Sequence, residues 1–306
     1  MTEDSSRSVR LPDGRFIRVK HVRRPLRDAS PHESGPAYEA LRPVLQAETR
    51  QSQASRARGL VGPGKRVLLL GCGSVGSHTG LLLAEMGFNL TAVDRDNVER
   101  SNIEAGRTAF PPGTLGMPKA MAMAQTAREK GLDVDVLPFR RGLETLSDDE
   151  IRALAHNADI IVAAFDDGPQ LVRLNSIVYS RSRVVYPAFH SGARTGHVIW
   201  TRPWDVPCFR CALGIGAGTE IETLHGESAF PLDIKRISET AARVAIWLAA
   251  PARSESNDLL DPDRNIIFLD NRPSGTADRA LAVHLLQADR DPACPICGTF
   301  TGNERG

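Results

Sequence analysis

Residues 64–96 read GKRVLLLGCGSVGSHTGLLLAEMGFNLTAVDRD, and the architecture of the chain follows from them. The run Val67 to Leu70 is apolar at every position, the pattern of a strand buried on both faces. Gly71, Gly73 and Gly76 follow at G-x-G-x-x-G spacing. An apolar helix is expected from Val75 to Met86, stopped by Gly87. A second strand, Leu90 to Val93, ends on Asp94, about twenty residues beyond the glycines. This order of strand, glycine turn, helix, strand and acid is a nucleotide fingerprint. The glycines let backbone approach a phosphate, the helix N-terminus offers N–H groups to it, and the acid accepts bonds from ribose hydroxyls. By itself the fingerprint fits a dinucleotide as well as a mononucleotide.

Downstream, strands and helices alternate. A helix is expected from Lys119 to Lys130, a strand over Val134 to Phe139, and a helix over Ser147 to Asn157 with a capping box, Ser147-x-x-Glu150. Asp159 to Phe165 reads as a buried strand, Gln170 to Ser180 as a helix and Val184 to Phe189 as a strand. Arg173 and Asn175 read as plain helix surface. Arg95 to Ile103 shows no period and reads as loop at the carboxyl edge of a strand, where open parallel sheets place ligands. The alternation predicts an α/β fold: a doubly wound, mostly parallel sheet of the Rossmann type. Gly196 to Arg202 is expected as an added antiparallel strand, Pro231 to Ala250 as an amphipathic helix, and Asn265–Leu269 and Ala280–Leu286 as C-terminal strands, the last at an edge.

Residues 1–60 stand apart as a basic N-terminal extension, with twelve Lys/Arg against seven Asp/Glu. Within it, Arg15 to Val22 alternates like a strand and Tyr38 to Arg58 reads as a helix. Residues 61–306 make up the main domain. The net charge of +1 gives no indication of nucleic acid or membrane as a partner, and no apolar run has the length of a transmembrane helix. The expected location is the cytoplasm. Four of the five cysteines form two pairs, Cys208-x-x-Cys211 and Cys294-x-x-Cys297. In a cytoplasmic chain such pairs read as four thiolates on a structural Zn2+ rather than as disulfides.

Taken in order, GCGSVGS, VDRDNVERSN, GMPKA, FDD, PCFRC and PACPICG resemble the signatures of the ThiF/MoeB adenylyltransferases, relatives of ubiquitin-activating enzymes. The likeness runs from about Gly64 to Gly298. It implies transfer of AMP from Mg2+·ATP to a C-terminal carboxylate, with release of pyrophosphate. On that reading Gly71, Gly73, Ser74 and Gly76 lie by the ATP phosphates, and Asp94 and Asp96 stand at the ribose end. Asn102 contacts phosphate. Lys119 neutralises charge as the carboxylate attacks the α-phosphorus. Asp166 is the magnesium ligand, with Asp167 left to cap a helix. The family's arginine after the Ser-Asn pair falls here on Ala105, and Arg107, two residues on, takes its role. An arginine from a partner subunit would correspond to Arg50, and a homodimer is implied.

With four cysteines on zinc and Cys72 in the glycine turn, none remains for a self-thioester; Gly214 to Ala229 holds Thr219, Thr223, His225 and Ser228 but no cysteine. The acyl-adenylate would pass to an external sulfur donor or to an amine. The implied substrate is a small ubiquitin-like or sulfur-carrier protein ending in Gly-Gly. A short peptide is the narrower alternative. An NAD-dependent oxidoreductase and a binding module that keeps the fold without activity are the readings from other classes.

Overall fold

The computed structural model describes residues 6–10, 16–20, 64–190, 192–203, 205–214, 229–250, 264–272 and 280–298. The helix expected over residues 38–58, Arg50, and the stretches 215–228 and 251–263 lie outside them. The chain divides into two compact units, Met1–Ser52 and Gln53–Gly306. In the first, β1 (Ser6–Arg10) pairs antiparallel with β2 (Phe16–Lys20), Ser6 opposite Lys20. The alternating run in the sequence marks β2. The SRSVR of β1 gives no such signal.

The second unit is built around β3 (Arg66–Leu70). After it come α1 (Ser74–Glu85), β4 (Asn89–Val93), α2 (Arg100–Ile103), α3 (Lys119–Glu129), β5 (Val136–Phe139), α4 (Asp148–His156), β6 (Ile160–Ala163), α5 (Gly168–Val178) and β7 (Val184–His190). Then follow β8 (Thr195–Thr201), α6 (Phe209–Ala212), α7 (Pro231–Ala249), β9 (Ile266–Asp270) and β10 (Ala282–Leu286). The eight strands form one sheet in the order β10-β9-β8-β7-β6-β3-β4-β5. The five from β5 to β7 run parallel, and β8, β9 and β10 join antiparallel. The sequence thus gives the sheet its doubly wound order and its antiparallel end.

Side-chain alternation explains why β3 is apolar throughout. Val67 and Leu69 face one layer with α1, α3 and α7; Leu68 and Leu70 face the other with α4, α5 and α6. All four are essentially inaccessible to solvent, and each such side chain contributes about 1.5–3 kcal/mol of burial. β6 repeats the pattern, Ile160 and Val162 on one side and Ile161 and Ala163 on the other. β5 is the outer edge, and its Leu137 and Phe139 stay exposed.

Strand order reverses at β3. From there the chain steps outward to β4 and β5, then crosses back to β6 on the other side. The carboxyl ends of β3 and β6 therefore border the crevice in which open α/β sheets hold ligands. Among the described residues no helix is long and apolar enough to cross a membrane.

Candidate active site

The glycine turn closes β3 onto α1. Gly71 has φ +88°, and a Cβ there would lie 2.5 Å from the Ala164 carbonyl oxygen, on the chain leaving β6. A Cβ on Gly76 would collide with the Gly71 carbonyl oxygen. These two positions need glycine for the turn and for close packing of helix on strand. Gly73 differs: a Cβ there would meet nothing within 4 Å, so the turn leaves open space at its tip. Gly73 is also the N-cap of α1, and no side chain caps the helix. The first-turn N–H groups are the kind that bind anions.

Asp94 at the end of β4 fastens this turn. Its Oδ2 accepts from the Cys72 N–H at 2.7 Å, and its Oδ1 accepts from the Asp96 N–H at 2.8 Å. Burial raises its pKa; the two N–H donors and Lys119 oppose that rise. Cys72 itself is buried, and burial pushes its thiol well above the ordinary range. It is a packing residue of the turn.

The loop after Asp94 contains the short helix α2, where the sequence reads only as loop. The cause is a reciprocal cap: the Glu99 N–H donates to Asn102 Oδ1 at 2.9 Å, and the Glu99 side chain accepts from the Asn102 backbone. The Asn102 side-chain oxygen is thus used locally. Beyond α2 the chain folds back onto α1. Ala109 N–H donates to Ser77 Oγ at 3.1 Å, and Arg107 Nε donates to Ser74 Oγ at 3.0 Å. Arg107 therefore stands at the N-terminus of α1, on the turn itself.

Lys119 arrives from the GMPKA segment. An isolated bridge, Asn97 to Pro118, and the bond from Lys119 N–H to the Asp96 carbonyl (2.8 Å) hold this segment against the loop after β4. Lys119 Nζ lies 3.0 Å from Asp96 Oδ2, with its side chain only 12 % exposed. A cleft of about 530 Å3, counted to its open mouth, is lined by Gly71, Asp94, Asp96, Asp166 and Asp167 together with Arg95, Arg141, Glu144 and Gln170. Gly71, Asp94, Asp96 and Asp166 of the expected set border this one space. Asp167 is the helix cap: its Oδ1 accepts from Gln170 N–H at 3.0 Å.

Arg95 and Glu144, paired at 2.6 Å across the cleft wall, are residues that sequence reasoning passed over. Arg95 lies between two expected acids, Asp94 and Asp96. Glu144 sits in a single 3-10 turn after β5, Leu143–Thr145, with no motif to mark it. Behind it an apolar hollow continues between α4 and the sheet, lined by Val93, Phe139, Leu146 and Leu154 with Arg141 at the partition.

The four paired cysteines meet on the far side of α5. Their sulfurs all lie within 4.8 Å of one another, with Cys208 to Cys294 at 3.6 Å and Cys211 to Cys297 at 3.4 Å. These separations exceed any disulfide bond, which is about 2.05 Å. They approach the edges of a tetrahedron with arms of about 2.3 Å, the Zn–S length. The set is closed and largely buried, with Tyr179 of the same cluster donating from its hydroxyl to the Val206 carbonyl at 2.6 Å. Cys208 is held down to about 5, first by a hydrogen bond from Cys297, with the Asn175 amide a further contributor. The donor set fits a structural zinc ion.

Two residues of α5 differ from their reading as helix surface. Arg173 donates to the carbonyls of Leu143 and Leu146 and to Asp148, tying α5 to the loop before α4. Asn175 is fully buried, and its Oδ1 accepts from the Phe209 N–H at 3.3 Å. Helical periodicity over Gln170–Ser180 could have placed Asn175 inward, since Leu171, Leu174 and Val178 share its side.

The ThiF family model matches residues 64–251. No curated protein matches the chain. Among solved structures, E. coli MccB with MccA-N7isoASN has a TM-score of 0.61 at 17% identity, covering 87% of this chain and 75% of that one. E. coli MccB with ATP has a TM-score of 0.61 at 17% identity, covering 84% and 73%. The microcin C7 biosynthetic enzyme MccB in complex with N-formylated MccA has a TM-score of 0.62 at 17% identity, covering 84% and 74%. At these identities the structures share the fold. The family match spans more than half the chain and covers the glycine turn, Asp94, Lys119 and Asp166, so the chain belongs to the ThiF family, the adenylyltransferases of the ubiquitin-activating type.

Proposed function

We propose that this enzyme activates the C-terminal carboxylate of a short peptide or small protein by transferring AMP to it from ATP. The observation that carries this reading is the gathering of the glycine turn, Asp94, Arg107 and Lys119 at the carboxyl edge of β3 and β4. Each Asp94 oxygen accepts one backbone N–H and keeps a second lone pair for a ribose hydroxyl. The open tip at Gly73 and the first turn of α1 suit the phosphates. Lys119 at the start of α3 and Arg107 in the segment after α2 would supply positive charge to the forming pyrophosphate.

In the step itself a carboxylate oxygen forms a bond to the α-phosphorus, and the bond from that phosphorus to the bridging oxygen of pyrophosphate breaks. The carboxylate is already ionised at neutral pH, so no base is needed. The protein's work is positioning and stabilisation of charge. The cleft has an acidic wall: Asp94, Asp96, Glu144, Asp166 and Asp167 against Arg95 and Arg141. A bare triphosphate would be repelled there, so ATP is expected to enter as its magnesium complex. Asp166 would be the carboxylate that holds the ion, since Mg2+ takes few protein ligands alongside phosphate oxygens.

For the substrate we favour a short peptide over a Gly-Gly-ending carrier, because MccB structures similar in fold were solved with MccA bound. The described cysteines fit a metal cage, leaving only buried Cys72, so transfer proceeds without a self-thioester. Function as a homodimer is part of the same proposal. ATP–pyrophosphate exchange measured with a panel of peptides and Gly-Gly-ending carriers tests it. Exchange dependent on a peptide carboxylate is the expected result. Exchange with carriers alone would move the substrate assignment to the ubiquitin-like class. Binding of NAD with no exchange for any member would overturn adenylation altogether.

A further inference from the structure

Asn175 lies in the second half of α5 and is fully buried. Its amide has a fixed orientation. Oδ1 accepts from the N–H of Phe209, the residue after Cys208, at 3.3 Å. Nδ2 must then point the other way, and among the described residues it makes no ordinary hydrogen bond. A buried amide donor without an acceptor is destabilising, and native proteins rarely keep one without a use. The residue next to its partner Phe209 is Cys208, whose sulfur belongs to the cage. A neutral thiol is a weak acceptor there. A thiolate bound to a metal is a strong one, and such second partners orient ligands in other metal sites.

We infer that Asn175 is a positioning residue of the metal cage, its Nδ2 donating to the Cys208 thiolate when zinc is bound while its Oδ1 fixes the knuckle backbone at Phe209. The inference rests on the zinc reading of the four cysteines. Through Asn175 the cage is tied to α5, whose N-terminus follows Asp166 and is capped by Asp167. Tyr179, at the other end of the helix, packs in the same cysteine cluster.

The test begins with the metal content of the full-length protein as purified, followed by zinc release to a chromogenic chelator. Asn175→Asp keeps the size and the acceptor for Phe209 but loses the donor and sets a negative charge beside the thiolate. It is expected to release zinc about 10–100-fold faster than the parent. In Co2+-substituted protein the Asn175→Ala variant, which also lacks the donor, is expected to shift the thiolate-to-metal charge-transfer band to lower energy. If Asn175 served only to hold the Phe209 backbone, the cobalt band of Asn175→Ala would stay at the parental energy. Parental release rates with an unshifted cobalt band overturn the inference and leave the zinc site standing. A parent protein without bound zinc, and unable to take up zinc or cobalt, overturns both. Should Asn175→Asp fail to fold, the cobalt band of Asn175→Ala decides.

Discussion

Lys119→Ala is expected to lower the rate of ATP–pyrophosphate exchange about 10²–10³-fold, the loss typical when one charge-stabilising group is removed from a preorganised site. The lysine is held at two points before any ligand arrives: its N–H bonds the Asp96 carbonyl and its Nζ bonds the Asp96 carboxylate. Its side chain is 12 % exposed while that of Asp96 is 56 % exposed, so the lysine is fixed and its partner is comparatively free. Incoming phosphate oxygens can displace or share Asp96 with little rearrangement of the lysine. The Asp96 contact orients the cation, and by itself adds little stability. Lys119→Ala should therefore fold like the parent, with an unchanged melting temperature. Unaltered exchange kinetics in a folded Lys119→Ala protein would remove this residue from the proposed site. Lys119→Arg should recover only part of the rate, because a planar guanidinium cannot take the place of a compact ammonium in a space shaped around it.

The second large effect concerns the cysteine cage. Removing zinc with a chelator, or replacing Cys297 with serine, is expected to destabilise the second unit by about 5 kcal/mol or more. Structural zinc in small peptides contributes about 10–16 kcal/mol of apparent binding energy, and the large sheet core here survives its loss in part. For a domain of this size each kcal/mol moves Tm by about 2–4 °C, so a fall on the order of 10–20 °C should appear in calorimetry. The damage should be local at first. Cys294 and Cys297 follow the edge strand β10, while Cys208 stands at the N-cap of α6 and Cys211 within it, on the layer with α5. Without the metal, four largely buried thiols lose the ion that joins these segments. A Tm insensitive to chelation, with wild-type thermal behaviour in Cys297→Ser, would show that the cage is not a structural metal site.

Much of the fold could be read directly, for physical reasons. β3 and β6 are buried on both faces, so their sequences are apolar without interruption, and the alternation of such strands with helices leaves few topologies open. The cap of α4 was visible because its donors and acceptors are neighbours in sequence, Ser147 and Glu150. α2 escaped notice although it uses the same reciprocal device, because Glu99 and Asn102 invert the usual residue types of a capping box. Asp94 and the glycines were legible through fixed spacing. Arg107 was nameable only by likeness, and its contact with Ser74 depends on how the chain between Glu104 and Ala109 folds back onto α1. Glu144 owes its position to packing between elements distant in sequence, which no local pattern records, whereas the helical period of α5 already turns Asn175 inward.

The bond from the Cys72 N–H to Asp94 makes the glycine turn a latch whose state can be timed. The thiol beneath it is inaccessible to solvent, so a water-borne alkylating reagent reaches it only when the turn swings away from β4. Should the other four cysteines hold a metal, the labelling rate of this one sulfur counts those openings. An occupied phosphate site should hold the latch shut, so that ATP slows the count in proportion to its occupancy while leaving the chemistry of the thiol unchanged.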